Sequence, residues 1–252
     1  MRRERRLRCD APMPISQPTP SAPRLEHNDI HLWIGRLDRR SDELATMRAM
    51  LSRDEIERAS RFRFEDDRSR FIASRSILRQ LLSLYVACEP ESISLEYNTW
   101  GKPALAAKFA DSDIRFNLSH SHGLAAYAIA RGREVGVDIE MVRPDFATGR
   151  IAEQFFSRTE VESLRSLPRE HQTGAFFVCW TRKEAYIKAL GRGLSIDLAS
   201  FDVSLRPEER PALLRCVDAA SWSLEAFQPC DGYVGAIAVQ GPVYLRECDG
   251  FR

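Results

Sequence analysis

Hydrophobic positions along the chain run twice through one plan. Residues 30–37 read as a strand, 41–50 have helical spacing, and Ser52-Arg-Asp-Glu55 is a capping-box pattern opening a second short helix. Residues 67–87 form the strongest helix of the first half. Phe71, Leu78, Leu82 and Tyr85 supply its apolar face, while Arg68, Arg70, Arg75 and Arg79 carry positive charge. Residues 92–97 alternate as a strand does. Thr99-Trp-Gly-Lys-Pro103 is a turn presenting Lys102, and strands follow over 114–119, 124–130 and 135–140. Pro144 and Gly149 then break the chain. A short helix with Ile151 and Phe155 follows, and Ser157-Arg-Thr-Glu160 is a second capping box. A long helix is expected over 169–190, then strands near 201–205, 212–217, 222–227 and 233–239. The order predicts an α+β fold of two similar α/β halves related by a pseudo-twofold. Residues 27–135 make the first half and 136–252 the second, with a site at their interface, a common place for ligand pockets.

Composition refines this picture at the N-terminus. Residues 1–26 hold Pro12, Pro14, Pro18, Pro20 and Pro23 in basic and polar filler, which predicts a disordered tail. Six arginines in residues 1–24 face only Glu4 and Asp10, an excess of four positive charges. A net charge of +1 therefore leaves the rest of the chain three negative. That body does not suit nucleic-acid binding, and any cationic site in it must be local. Six scattered cysteines without a Cys-x-x-Cys argue against zinc and suit a reducing compartment. No apolar run reaches the roughly 20 residues of a membrane span, and no apolar segment follows the N-terminal charges as in a secretory signal. The expectation is a cytoplasmic protein, although the N-terminal arginines also suit a transit peptide.

Two stretches carry chemistry. On the long helix Phe177, Trp180, Glu184, Ile187 and Lys188 fall on one side, so a carboxylate and an ammonium sit among apolar neighbours. Such a pair ordinarily belongs on a solvated face, where it contributes about 0.3–0.5 kcal/mol. On an apolar face it costs desolvation unless something compensates. About forty residues earlier, Val135-Gly-Val-Asp-Ile-Glu140 reads as a strand with Asp138 and Glu140 on one face. Asp138, Glu140 and Glu184 could converge on a hard divalent cation.

These blocks resemble the 4′-phosphopantetheinyl transferases of the Sfp type. Phe116-Asn-Leu-Ser-His-Ser121, Gly136-Val-Asp-Ile-Glu140 and Trp180-Thr-Arg-Lys-Glu-Ala-Tyr-Ile-Lys188 match three family motifs in order, with Gly101-Lys-Pro103 and Arg61-Phe62 as weaker additions. The resemblance spans about residues 30–240 and implies the transferase fold. It also implies Mg2+-dependent transfer of the 4′-phosphopantetheine arm of coenzyme A to a serine of an apo acyl, polyketide or peptidyl carrier protein, with release of adenosine 3′,5′-bisphosphate. That is a holo-[acyl-carrier-protein] synthase type of reaction. By the same resemblance Asp138 and Glu140 are metal ligands, and Glu184 is either a third ligand or holds the base. Lys188 reaches a phosphate. Arg58, Arg70, Arg75, Lys102, Ser119 and His120 hold coenzyme A, His120 at the 3′-phosphate. Lys183 reads as a surface lysine. Many members carry a second lysine before the Arg-Phe pair, where this chain has Glu55. The chain is expected to act as a monomer. Residues 142–159, with Arg143, Arg150 and Arg158 beside Phe146, Phe155 and Phe156, are the expected carrier-docking segment.

Two other readings remain open on the residues alone. One is a coenzyme A-binding protein of the same fold that has lost transfer, against which the intact Asp138, Glu140, Glu184 and Lys188 set argues. The other is a different magnesium-dependent phosphotransferase or nucleotide hydrolase, which lacks a phosphate-cradling Gly-x-x-x-x-Gly-Lys loop.

Overall fold

Strand β1 (Asp29–Arg36) carries Ile30 and Leu32 on one face and Trp33 on the other, so it can bury apolar surface on both sides. The computed structural model describes residues 24–144, 146 and 148–248. After β1 come helices α1 (Ser41–Ala49), α2 (Arg53–Ser60) and α3 (Glu65–Val86). The short strands β2 (Leu95–Tyr97) and β3 (Pro103–Leu105) pair with each other, and β4 (Ile114–Ser121) and β5 (Leu124–Arg131) close the first half. The second half repeats the order. It has β6 (Val135–Met141), α4 (Thr148–Phe155), α5 (Arg158–Ser166), α6 (Arg169–Leu190), the short pair β7 (Asp202–Val203) and β8 (Leu213–Arg215), then β9 (Trp222–Phe227) and β10 (Tyr233–Gln240). The final strand is β11 (Tyr244–Cys248).

The sheets repeat as well. The first is ordered β11-β1-β5-β4 and the second β6-β10-β9, so β1-β5-β4 and β6-β10-β9 are topological equivalents. In both, the third strand in sequence lies in the middle and every pairing is antiparallel. The sheets meet face to face through Ile30, Leu32, Ala126 and Ala128 of one and Val135, Val137, Ile139 and Ile237 of the other. Helix α3 covers the outer face of the first sheet with Ile77, Leu78, Leu81 and Leu82. Helix α6 covers the second with Ala185 and Ala189. Each fully buried aliphatic contributes about 1.5–3 kcal/mol. The result is a helix–sheet–sheet–helix stack in which the odd and even residues of β6 face different layers.

The repetition reaches single side chains. Both capping boxes form, Ser52 with Glu55 on α2 and Ser157 with Glu160 on α5. Each glutamate then receives a cation from the long helix of its half, at the same place in that helix. Arg79 Nε meets Glu55 Oε2 at 2.6 Å and its Nη1 donates to the Pro90 and Ile93 carbonyls. Lys183 Nζ meets Glu160 Oε2 at 2.8 Å and donates to the Leu198 and Phe201 carbonyls. Each cation thus ties a short helix, a long helix and the loop after the long helix into one block. Lys183 is not a surface lysine: its side chain is 0% exposed. Its helical face is covered by the chain from Leu198 to Phe201, a tertiary neighbour that local spacing does not reveal.

Three boundaries differ from expectation. The proline-rich tail lies outside the described residues as far as residue 23, but Leu25, which the tail was expected to include, is buried in the first-half core and its carbonyl accepts from Arg131. Strand β11 was not expected, and it pairs in parallel with β1, so the end of the second half completes the first half's sheet. The strand expected over 92–97 is confined to Leu95–Tyr97, and Ser92 ends a 3-10 turn that starts at Pro90.

Candidate active site

Strand β6 is placed against α6 by a glycine. A Cβ added at Gly136 would stand 2.1 Å from the Ala185 carbonyl oxygen and 2.3 Å from the Ala189 nitrogen. Only glycine therefore permits this approach of strand to helix. Two and four residues on, Asp138 and Glu140 project from the same face of β6 as Gly136, toward the α6 turn bearing Glu184 and Lys188. Lys188 Nζ donates to Asp138 Oδ1 at 2.6 Å and to Ser119 Oγ at 2.9 Å.

The carboxylates crowd one another. Burial raises the Glu184 carboxyl to about 7; the Lys188 ammonium opposes the rise, and Asp138 and Glu140 add to it. Glu140 is also raised, chiefly by burial and further by Asp138, against the Ser121 hydrogen bond and the Lys188 and Arg143 cations. Asp138 is 3% exposed, and its Oδ2 is buried with no hydrogen-bond partner among the described residues.

Strand β4 forms the opposite wall. Asn117, Ser119 and Ser121 alternate on the face turned to β6 and are all buried. No backbone ladder joins β4 and β6, and these side chains span the gap instead. Asn117 Oδ1 accepts the Val137 N–H, Ser119 Oγ donates to Asp138 Oδ1 at 2.7 Å, and Ser121 Oγ donates to Glu140 Oε2 at 2.7 Å. The Asn-Leu-Ser-His-Ser block is thus a polar seam between the halves. The structural role of Asn117 and Ser121 escaped the sequence reading, although their two-residue spacing signals a shared face.

The cleft between the halves, about 550 Å³, is lined by Asp138, Glu140, Glu184 and Lys188 together with Ser119, His120, Arg58 and Arg75. Gly101, Pro103, Tyr97, Leu118, Phe155 and Trp180 complete its wall. His120 stands at the exposed mouth, yet the mass of protein around its ring, and then the Lys188 ammonium, hold its pKa below the ordinary histidine value, against Asp138 and Asp67. Arg75 Nε is paired with Glu55 Oε1 at 2.7 Å and its Nη2 donates to Tyr97 Oη at 2.8 Å. Glu55 is therefore a buried anchor for two arginines. Burial alone would raise its pKa, but Arg75, the Ser52 N–H and Arg79 together hold it below the ordinary carboxylate value.

Two residues assigned to the nucleotide stand elsewhere. Lys102 Nζ donates to Glu134 Oε2 at 2.8 Å, Ala189 O at 2.9 Å and Val135 O at 3.3 Å, so its ammonium ties the first half's turn to the second half. Its neighbours Gly101 and Pro103, not that ammonium, face the cleft. Arg70 is paired with Asp38 at 2.7 Å and lines a different groove, of about 790 Å³, between α1, α2 and α3.

The donor set suits a hard cation. Three carboxylates from two elements face one cleft, two with raised pKa, and Asp138 Oδ2 is a buried oxygen without a partner among the described residues, a state that costs about 1–3 kcal/mol or more. As the side chains stand, with Lys188 on Asp138, no three His, Cys, Asp or Glu side chains among the described residues are grouped closely enough to hold a metal ion. A cation there requires the acidic side chains to close on it.

Comparison with known proteins gives one family over both halves. Residues 134–238 match the model "4′-phosphopantetheinyl transferase superfamily", and residues 38–131 match "4′-phosphopantetheinyl transferase, N-terminal". The 4′-phosphopantetheinyl transferase HetI of Nostoc sp. is 42% identical over 89% of this chain and 93% of its own. The 4′-phosphopantetheinyl transferase psf-1 of Bacillus pumilus is 36% identical over 82% and 86%. Sfp of Bacillus subtilis is 27% identical over 79% and 86%. Among solved structures, the Chronobacterium ammoniagenes ACPS–CoA complex is 22% identical and aligns with a TM-score of 0.33 over 42% of this chain and 95% of that one.

Proposed function

The chain belongs to the 4′-phosphopantetheinyl transferase superfamily, and on that premise we propose how its cleft carries out the transfer. The enzyme moves the 4′-phosphopantetheine arm of coenzyme A onto a serine hydroxyl of an apo carrier protein. The reaction is attack of that hydroxyl on a diphosphate phosphorus, so it needs charge neutralisation, alignment and removal of one proton. The observation that carries our reading is the convergence of Asp138, Glu140, Glu184 and Lys188 on the Ser119–His120 end of β4.

We assign Asp138 and Glu140 as ligands of Mg2+, with Glu184 as a third ligand or the holder of the base. The ion's contribution, when bound, is neutralisation of diphosphate charge. Lys188 supplies a point charge to a phosphate oxygen, for which it must exchange its Asp138 contact. A Glu184 carboxyl titrating near 7 is matched to accepting a serine proton at neutral pH. His120, Ser119, Arg58 and Arg75 hold the nucleotide, whereas Lys102 and Arg70 act through the fold. Both walls of the cleft come from one chain, which supports a monomer as the working unit. Cys88, Cys179 and Cys216 are free thiols, which supports the cytoplasm as its setting. Acyl carrier proteins are proposed as substrates, the holo-[acyl-carrier-protein] synthase activity, alongside polyketide and peptidyl carriers. Incubating each apo carrier with coenzyme A and Mg2+ and weighing the product tests this assignment.

Two predictions follow the geometry. His120→Ala is expected to weaken coenzyme A binding by about 10–150-fold, the worth of a charge-assisted bond, and dephospho-coenzyme A binding far less. Calorimetric titration with both ligands checks this, and equal losses would remove His120 from the 3′-phosphate. The second concerns the carrier. Arg143 stacks over the Phe146 ring at 4.2 Å, Arg150 is exposed, and Phe155 lines the cleft edge-on to Trp180, while Phe156 is simply core. Arg158 is taken up by Glu162. Replacing Arg143 and Arg150 together should raise KM for the carrier about tenfold with kcat little changed, and flatten the salt dependence of KM. Unchanged KM and salt dependence would move docking off this segment.

A further inference from the structure

Ser121 does two things that no other residue of the polar seam does. Its hydroxyl donates to Glu140 Oε2 at 2.7 Å, and the same oxygen accepts the backbone N–H of Met141 at 3.1 Å. It thereby fixes both the carboxylate and the backbone of the residue that follows it. Ser121 is 7% exposed, so water does not readily replace either bond. Ser121 ends β4 at a two-residue hairpin loop, Ser121 pairing with Leu124, and the loop's His122 has a φ of +51°. The hydroxyl is therefore carried on a tight, well-determined turn. Its neighbour on the seam, Ser119, serves Asp138 and Lys188, and Asn117 holds only backbone. Glu140 has no protein partner other than Ser121 among the described hydrogen bonds and ion pairs, so nothing else there fixes its rotamer.

We propose that Ser121 is a positioning residue for Glu140: by engaging Oε2 and the Met141 N–H together, it holds the other carboxylate oxygen, Oε1, toward the cleft. This rests on the reading of Glu140 as a metal ligand. Groups that hydrogen-bond to metal-ligating carboxylates typically change metal affinity by 10–100-fold when removed. Without the hydroxyl, Glu140 gains rotamer freedom that must be lost again on binding an ion, and the Met141 N–H loses its acceptor.

The test is Mn2+ binding followed by electron paramagnetic resonance in the presence of coenzyme A and without any carrier, so that turnover plays no part. Ser121→Ala is expected to raise the Mn2+ dissociation constant by about tenfold or more. In a Glu140→Ala background the same substitution should change it less than twofold, because the carboxylate through which Ser121 acts is gone. Ser121→Thr, which keeps the hydroxyl, should stay within about threefold of wild type. If Ser121→Ala does not fold, Ser121→Cys, close in size with a weak donor, carries the same comparison. An unchanged constant in Ser121→Ala, or equal losses with and without Glu140, overturns the proposal and leaves the metal assignment standing. A wild-type protein that binds no Mn2+ with coenzyme A overturns the metal assignment itself, and the proposal with it.

Discussion

Glu184→Gln is expected to lower turnover by about 10²–10⁴ at saturating coenzyme A and Mg2+, the usual worth of a positioned general base. The substitution keeps the shape and one oxygen but removes the charge and the ability to accept a proton. If Glu184 acts mainly as a ligand, the Mg2+ concentration for half-maximal rate should rise as steeply as in Asp138→Ala. If it acts mainly as the base, that concentration stays near wild type while kcat falls. We expect the larger loss in kcat, because Glu184 comes from α6 while the Asp138–Glu140 pair comes from β6. Wild-type turnover in this variant would remove Glu184 from the chemistry.

The same carboxyl makes a prediction about stability. Its folded pKa of about 7 lies above the ordinary 4.5, so the folded state holds the proton more tightly than the unfolded chain. Its contribution is intact below about pH 4.5 and is lost as pH rises toward 7, by on the order of 3 kcal/mol at most. Without added divalent cation, Glu184→Gln should therefore be more stable than wild type at pH 8 and close to it at pH 4.5. Urea midpoints at the two pH values measure this. Added Mg2+ and coenzyme A should stabilise wild type more than the variant. A difference between the two proteins that does not depend on pH would mean that the carboxyl is not strained in the folded state.

Gly136→Ala is the second large effect. The new methyl would meet main-chain atoms of α6 at 2.1 and 2.3 Å, and main chain cannot swing aside as a side chain can. Helix and strand must separate by an ångström or more. That opens the packing around Ala185 and Ala189 and draws Asp138 and Glu140 away from Glu184 and Lys188. Overpacking ordinarily costs about 1–3 kcal/mol, and a clash with backbone on this scale belongs at or above the top of that range. We expect a urea midpoint far below wild type and, in whatever folds, carrier labelling reduced by at least about 10²-fold, since an ångström of misplacement can cost that much. Gly235→Ala is the control: the atoms nearest its Cβ belong to the Phe227 side chain rather than to main chain, so it should lose stability while keeping more activity per folded molecule. A Gly136→Ala protein with wild-type midpoint and labelling would show that the strand–helix spacing is not what sets the site.

What could be read in the sequence was what local chemistry dictates. Helix α6 begins and ends where the apolar spacing places it, and Gly191 just beyond takes the left-handed conformation, φ +67°, that ends the helix. Both capping boxes form because their signals lie within one turn. Asp138 and Glu140 share a face because strands alternate. The rest depended on partners distant in sequence. Lys183 looks like any helix lysine until Glu160 and the loop from Leu198 to Phe201 enclose it. Lys102 reads as a cation offered by a turn, but its acceptors are the Ala189 carbonyl across the interface and Glu134, distant in sequence. Arg70 reads as part of a basic helix flank, and its partner Asp38 lies after β1. Strand β11 is short and largely exposed, so Tyr-Leu-Arg-Glu-Cys has no apolar face to announce it, and only its pairing with β1 makes it a strand. Glu55 showed as an odd acid where a lysine was expected, and its buried pairing with Arg75 and Arg79 explains it.

The most direct measurement is the intact mass of an apo carrier protein incubated with this enzyme, coenzyme A and Mg2+. The account predicts a gain of one 4′-phosphopantetheine arm on a single serine, with adenosine 3′,5′-bisphosphate released in equal amount. Chelation of the cation should abolish the gain, and Asp138→Ala should show it only at much higher Mg2+. No gain on any apo acyl, polyketide or peptidyl carrier, from a protein that still binds coenzyme A, would contradict it and leave a coenzyme A-binding protein that does not transfer.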